Sequence, residues 1–218
     1  MYVLGLTGSI AMGKSWATQC FRHLAIPVHE ADVCVHGLLA PGGAAVSDVL
    51  AAFLGVEDDN GGVDRQKLGA SVFGHSGELA LLEYILHPLV HQSQLRFLAQ
   101  QARTRCCLAV LDIPLLFETG AQIRVDGVMV MTAPVDLQYA RALQRPGMTL
   151  EKLHAIMDQQ MPDALKRLGA DFVVSTAGTK GRTLGQIQKI VKTLKSKRGK
   201  VWGPSWVQPK LKRRMSNA

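Results

Sequence analysis

Apolar residues fall along the chain in two rhythms, short unbroken runs and longer stripes at helical spacing. Residues 2–7 form a short apolar run that stops at Gly8, and from Lys14 onward Ala17, Cys20, Phe21 and Leu24 recur at helical intervals. The chain thus opens as strand, glycine loop and helix. Residues 26–29 read as a second short strand that runs into Glu30 and Asp32, and a helix is predicted over 32–39. Turn-rich segments at 41–43 and 58–62 separate helical patterns over 44–54, 64–73 and 78–101, and His87-Pro88 is expected to kink or restart the last of these. Residues 106–112, 125–131 and 172–174 are apolar apart from Asp112 and Asp126, which predicts strands covered on both faces and hence a parallel sheet. Strands alternating with helices give an α/β, doubly wound architecture, with the helical stretch from about 33 to 104 as an insertion.

The loop between the first strand and helix carries the strongest chemical signal. Gly8-Ser9-Ile10-Ala11-Met12-Gly13-Lys14-Ser15 matches GxxxxGK[ST] in full, in the strand-to-helix setting that a phosphate-binding loop requires. Backbone N–H groups must converge on phosphate oxygens there, and glycines allow the conformations and close approach that a Cβ would obstruct. Lys14 supplies a charge for the β- and γ-phosphates and Ser15 a hydroxyl for Mg²⁺. Such a loop does not choose between kinase, ATPase and GTPase, but no NKxD segment is present, which argues against a regulatory GTPase. Asp112, closing an apolar strand, is either a second metal-site carboxylate or a cap on the following turn.

Composition limits the setting. The chain has 218 residues, 47% hydrophobic and 19% charged, enough to bury a sizeable core without disulfides. Its longest apolar stretches, such as 106–111, fall far short of the roughly 20 residues that span a bilayer. No Lys or Arg precedes the N-terminal apolar run, which Gly5, Gly8 and Ser9 interrupt, unlike a secretory signal. Cys20, Cys34, Cys106 and Cys107 form no CxxC pair, so a reducing, cytoplasmic location is expected. The net charge of +8 belongs entirely to residues 195–218, which hold eight basic residues and no acidic one; residues 1–194 carry 17 of each sign. That segment reads as a basic, disordered tail, or as a contact for an anionic partner through its cations and the interleaved Trp202 and Trp206. A neutral body offers no electrostatic footprint for specific nucleic-acid binding.

The motifs together resemble dephospho-coenzyme A kinase. The matching pieces are Gly5-Leu6-Thr7-Gly8 through Ser15, Pro27-Val28 with Glu30-Ala31-Asp32, His87-Pro88-Leu89, Pro114-Leu115-Leu116 with Glu118, Arg141 through Gln144-Arg145, then Gln160 and Ala170-Asp171. The resemblance covers residues 1 to about 176. It implies transfer of the γ-phosphoryl of ATP, with Mg²⁺, to the ribose 3′-hydroxyl of dephospho-CoA, giving coenzyme A and ADP. It also implies a single kinase unit over 1–194, made of a phosphate-loop core, a helical CoA-binding insertion and a small helical lid at about 137–170, monomeric or weakly oligomeric. Asp32 then matches the general base, Lys14 and Arg141 the groups that neutralise transferring charge, and Gly8, Ala11, Met12, Gly13, Lys14, Ser15 and Trp16 the ATP site. Asp32, His87, Leu115 and Glu118 are the implied substrate residues, Ser15 and Asp112 the implied metal residues.

Asp32 also reads as a plain helix N-cap, and Arg141 with Arg145, four apart, as a solvated basic face. Another small-molecule or nucleoside kinase on the same core is the alternative function. Three departures from the family pattern matter. Ser9, Ala11 and Met12 stand where more glycine is usual and are expected to crowd the phosphates; Trp16 is bulky where small hydroxylated residues are common, so contact is expected from its backbone N–H; Lys166 and Arg167 compete for one arginine position.

Overall fold

The computed structural model describes residues 1–202. In chain order the elements are β1 (Tyr2–Thr7), α1 (Lys14–His23), β2 (Val28–Glu30), α2 (Ala31–Leu39), α3 (Val46–Ala52), α4 (Arg65–Val72), α5 (Ser76–Arg103), β3 (Leu108–Asp112), β4 (Gly127–Thr132), α6 (Val135–Leu143), α7 (Leu150–Asp158), α8 (Asp163–Leu168), β5 (Phe172–Ser175) and α9 (Lys180–Lys195). The five strands form one parallel sheet in the order β2-β3-β1-β4-β5. Leu4 pairs with Gly127 and Thr7 with Val130, while Met129 pairs with Phe172 and Thr132 with Ser175. Every residue of β1 and β3 is buried, as an apolar run between two helical layers requires.

The chain divides into two compact units. Among the described residues, the first comprises 1–28, 105–110 and 115–202, the second 29–104 and 111–114. In the first, Leu4, Leu6, Leu108, Val110, Met129, Met131 and Val174 from the strands meet Ala17, Cys20 and Phe21 of α1 and Ile187, Val191 and Leu194 of α9. Asp126 ties the two ends of this unit together. One carboxylate oxygen accepts the Val3 N–H at 2.8 Å, and the other accepts the N–H groups of Lys200 and Val201. In the second unit, Leu39, Val49, Phe53, Leu68 and Leu86 build a separate core on which α2, α3 and α4 pack against α5.

Two sequence expectations change. Of the kink or restart expected at Pro88, the restart does not occur: α5 runs through it as one helix. Proline removes the N–H that would meet the Tyr84 carbonyl, but both residues are exposed, Tyr84 by 79%, so water can take that bond. The tail boundary also moves, because residue 195 still belongs to α9 and 196–202 return to the body at Asp126. The rest of the expected tail, with Trp206, lies outside the described residues.

Candidate active site

The glycine loop joins the buried end of β1 to the first turn of α1, and its two glycines answer different steric demands. A Cβ on Gly8 would lie 2.8 Å from the carbonyl oxygen of Met131 on β4. Gly13 takes φ +86°, and a Cβ there would lie 2.9 Å from Thr176. Gly8 lets the loop leave the sheet; Gly13 turns it into the helix. Between them Ala11 adopts φ +61°, the left-handed region that costs a residue with a Cβ about 1 kcal/mol. Its methyl, 7% exposed, packs with Ala142 and Leu153, which offsets that cost. Met12 turns inward. Its side chain is buried and its sulfur accepts the Ala133 N–H at 3.1 Å, so it serves the core beside β4. Lys14 is half-buried and the Ser15 side chain exposed at the head of α1.

Arg141 comes to this loop from α6. Its guanidinium donates to the Thr176 hydroxyl at 2.8 Å and to the Thr176 carbonyl at 2.7 Å. That hydroxyl shares its one proton between the carbonyls of Met12 at 3.1 Å and Thr132 at 3.3 Å, so the arginine, the loop and the end of β4 share one residue. Arg145 is exposed and does not join it. A cleft of about 220 Å³ opens here, lined by Gly13, Trp16, Arg141, Thr176, Gly178, Lys180 and Thr183. Trp16 lines this cleft, and its backbone N–H donates to the Gly13 carbonyl at 3.1 Å. The indole N–H donates to the Lys180 carbonyl at 3.3 Å, and the Lys180 ammonium stands 5.0 Å from the ring centre. Sequence reasoning marked Thr176 only as a departure from the family pattern near Asp171 and missed Lys180; their position after β5 is the one available signal.

Other expected site residues have structural work. The Oε1 of Glu118 lies 2.8 Å from the Lys166 ammonium and accepts the Met161 N–H at 2.8 Å. Lys166 is 0% exposed. Burial pushes the Glu118 carboxyl up, yet the Lys166 ammonium and the backbone N–H groups outweigh burial and hold it below its ordinary value. Lys166 is therefore an internal ion-pair partner, while Arg167 pairs at the surface with Asp163 at 2.9 Å, and neither lines the cleft. Asp171 accepts the Val128 N–H at 2.8 Å and fixes the start of the β4–β5 pairing. Leu115 is half-buried, in a turn where its carbonyl takes the Thr119 N–H.

Asp32, His87 and Asp112 belong to the second unit. Asp32 is exposed in the first turn of α2 and is not the N-cap; Glu30 holds that position, so the plain capping reading fails. His87 is exposed on α5, and Asp112 is buried at the end of β3.

A family model described as dephospho-CoA kinase (CoaE) matches residues 2–180. The chain belongs to the dephospho-CoA kinase family. A dephospho-CoA kinase from Paramagnetospirillum magneticum is 56% identical over 167 residues, 77% of this chain and 78% of the relative. One from Mesorhizobium japonicum is 48% identical over 199 residues, 91% of this chain and the relative's full length. Among solved structures, a dephospho-CoA kinase from Campylobacter jejuni superposes with TM-score 0.66 at 25% identity, over 88% of this chain and 96% of that one. TT1252 from Thermus thermophilus gives TM-score 0.77 at 28% identity with the same coverage. This dephospho-CoA kinase transfers phosphate from ATP to dephospho-CoA to make coenzyme A. The alternative of a different kinase on this core is set aside. No helix among the described residues is long and apolar enough to cross a membrane.

Proposed function

We propose that this kinase seats the ATP triphosphate on Gly8–Ser15 and the adenosine against Trp16, Arg141, Gly178 and Lys180, and that Asp32 serves the acceptor 3′-hydroxyl. The observation that carries the nucleotide half is the position of Arg141, held on Thr176 in the cleft that opens from Gly13. Backbone N–H groups of the loop and the dipole of α1 cradle the phosphates. Lys14 meets the charge on the transferring group, and Arg141 adds a second cation as that charge develops. Asp32, an exposed carboxylate directly after β2, accepts the hydroxyl proton and orients the oxygen for in-line attack.

Among the described residues no group of three or more His, Cys, Asp or Glu is placed to cage a metal. An exposed Ser15 hydroxyl instead suits Mg²⁺ that arrives on the nucleotide phosphates, with Asp112 as a further candidate ligand. Bound there, Mg²⁺ supplies positive charge to the β- and γ-oxygens. The free cysteines Cys20, Cys34, Cys106 and Cys107 suit a reducing, cytoplasmic setting.

The test is Asp32→Asn. Turnover should fall by about 10²-fold or more while ATP and dephospho-CoA bind as before, because the amide keeps the shape but cannot take the proton. A loss confined to the Michaelis constant for dephospho-CoA would instead make Asp32 a binding residue.

A further inference from the structure

Two glutamines of the lid grip one residue of the phosphate loop from both sides. The Ile10 N–H donates to Oε1 of Gln160 at 2.9 Å, and the Ile10 carbonyl accepts from Nε2 of Gln138 at 2.9 Å. Gln138 sits in α6 and is 3% exposed; Gln160 follows the end of α7. The partners fix which end of each amide is which, since a backbone N–H must meet an oxygen and a carbonyl must meet an N–H. The Ile10 side chain adds a third hold, packing with Tyr139, Met148 and Met157 around buried Ala142 and Leu153.

The grip lies immediately before Ala11, the residue at φ +61°. A backbone held in a sparsely populated region persists when its surroundings over-determine it. The two hydrogen bonds act on the peptides either side of Ile10, upstream of the strained residue and of the N–H groups that reach phosphate. We propose that Gln138 and Gln160 are positioning residues that hold the loop in its nucleotide-receptive shape, so that lid and loop behave as one body. Neither touches ATP; each acts through Ile10. This rests on the reading that Gly8–Ser15 binds the triphosphate.

The experiment uses the full chain with Met and Glu at each position, reading ADP affinity by calorimetry, both Michaelis constants, and the melting temperature. Gln160→Met and Gln138→Met keep the volume and remove the hydrogen bond. Each should weaken ADP about tenfold and raise the Michaelis constant for ATP alike, leaving that for dephospho-CoA within about twofold. Gln160→Glu keeps an acceptor for the Ile10 N–H and should recover affinity over Gln160→Met. Gln138→Glu loses the donor, sets a carboxylate against a carbonyl, and should bind worse than Gln138→Met. Both Glu variants add the same charge beside the loop, so the difference between them reads the hydrogen bond. ADP affinity unchanged in the Met variants, whatever the melting temperature, overturns the proposal, as does equal behaviour of the two Glu variants. Gln160 is half-exposed, so its pair of variants decides the matter even where changes at buried Gln138 prevent folding. Lys14→Ala separates the two readings: if it leaves ADP affinity intact, the loop is not the triphosphate site and the fault lies there rather than with the glutamines.

Discussion

Trp16 sets a large aromatic face beside the phosphate loop and carries a cation on it, a pairing that suits a purine better than the backbone contact its position suggests. The chain has three tryptophans, so with Trp202 and Trp206 replaced by Phe the remaining emission comes from Trp16. ADP should then change that emission saturably, and a flat titration would remove the indole from the adenosine site. Lys180→Met in the same background should weaken ADP about two- to fivefold, the size of a partly exposed cation–π contact. At this scale the loop itself is legible because each glycine has a local reason to be one. Gly8 meets a backbone oxygen and Gly13 a positive φ, so the motif is a direct record of geometry. Met12 is not legible in that way, since nothing local says that its sulfur turns back to the Ala133 N–H.

At the scale of elements, the pair of Glu118 and Lys166 joins the turn after β3 to α8, and the Met161 N–H adds the approach to that helix. Removing one partner of a buried pair leaves the other charge without compensation, so Glu118→Gln should lower stability by about 3 kcal/mol at pH 7. The pH dependence has a definite sign. A carboxyl held below its ordinary value of 4.5 in the folded state contributes its full stability above that value, and loses it as pH falls through the lower folded value. Urea melts from pH 7 down to 3 should therefore show the two proteins converging in acid. A gap that stays constant would mean that the carboxylate charge is not what stabilises the pair. The strands, and the helices up to α5, were readable from period and run length, whereas α9 was not. This pair was not, because its partners lie far apart in sequence and Glu118 sits inside a family motif that suggests substrate. The continuity of α5 through Pro88 was equally hidden, since it depends on which side of the helix meets solvent.

For the whole molecule, the parallel α/β sheet was legible in the alternation of elements, whereas the order of its strands and the end of the folded body were not. Charge alone placed that end at 194, yet Lys200 and Val201 hydrogen-bond to Asp126. A chain ended after Trp202 should accordingly be more stable than one ended after Leu194 by about 2 kcal/mol, the scale of hydrogen bonds to a carboxylate, and equal melting temperatures would return the boundary to 194. Asp126 also receives Val3, so a single side chain brings residue 3 and residues 200–201 together. Proximity of that kind makes the order of the chain dispensable. A circular permutant that joins residue 202 to Met1 through a short Gly-Ser linker, and opens instead between the exposed Asn60 and Gly61, should fold and bind ADP as the natural order does.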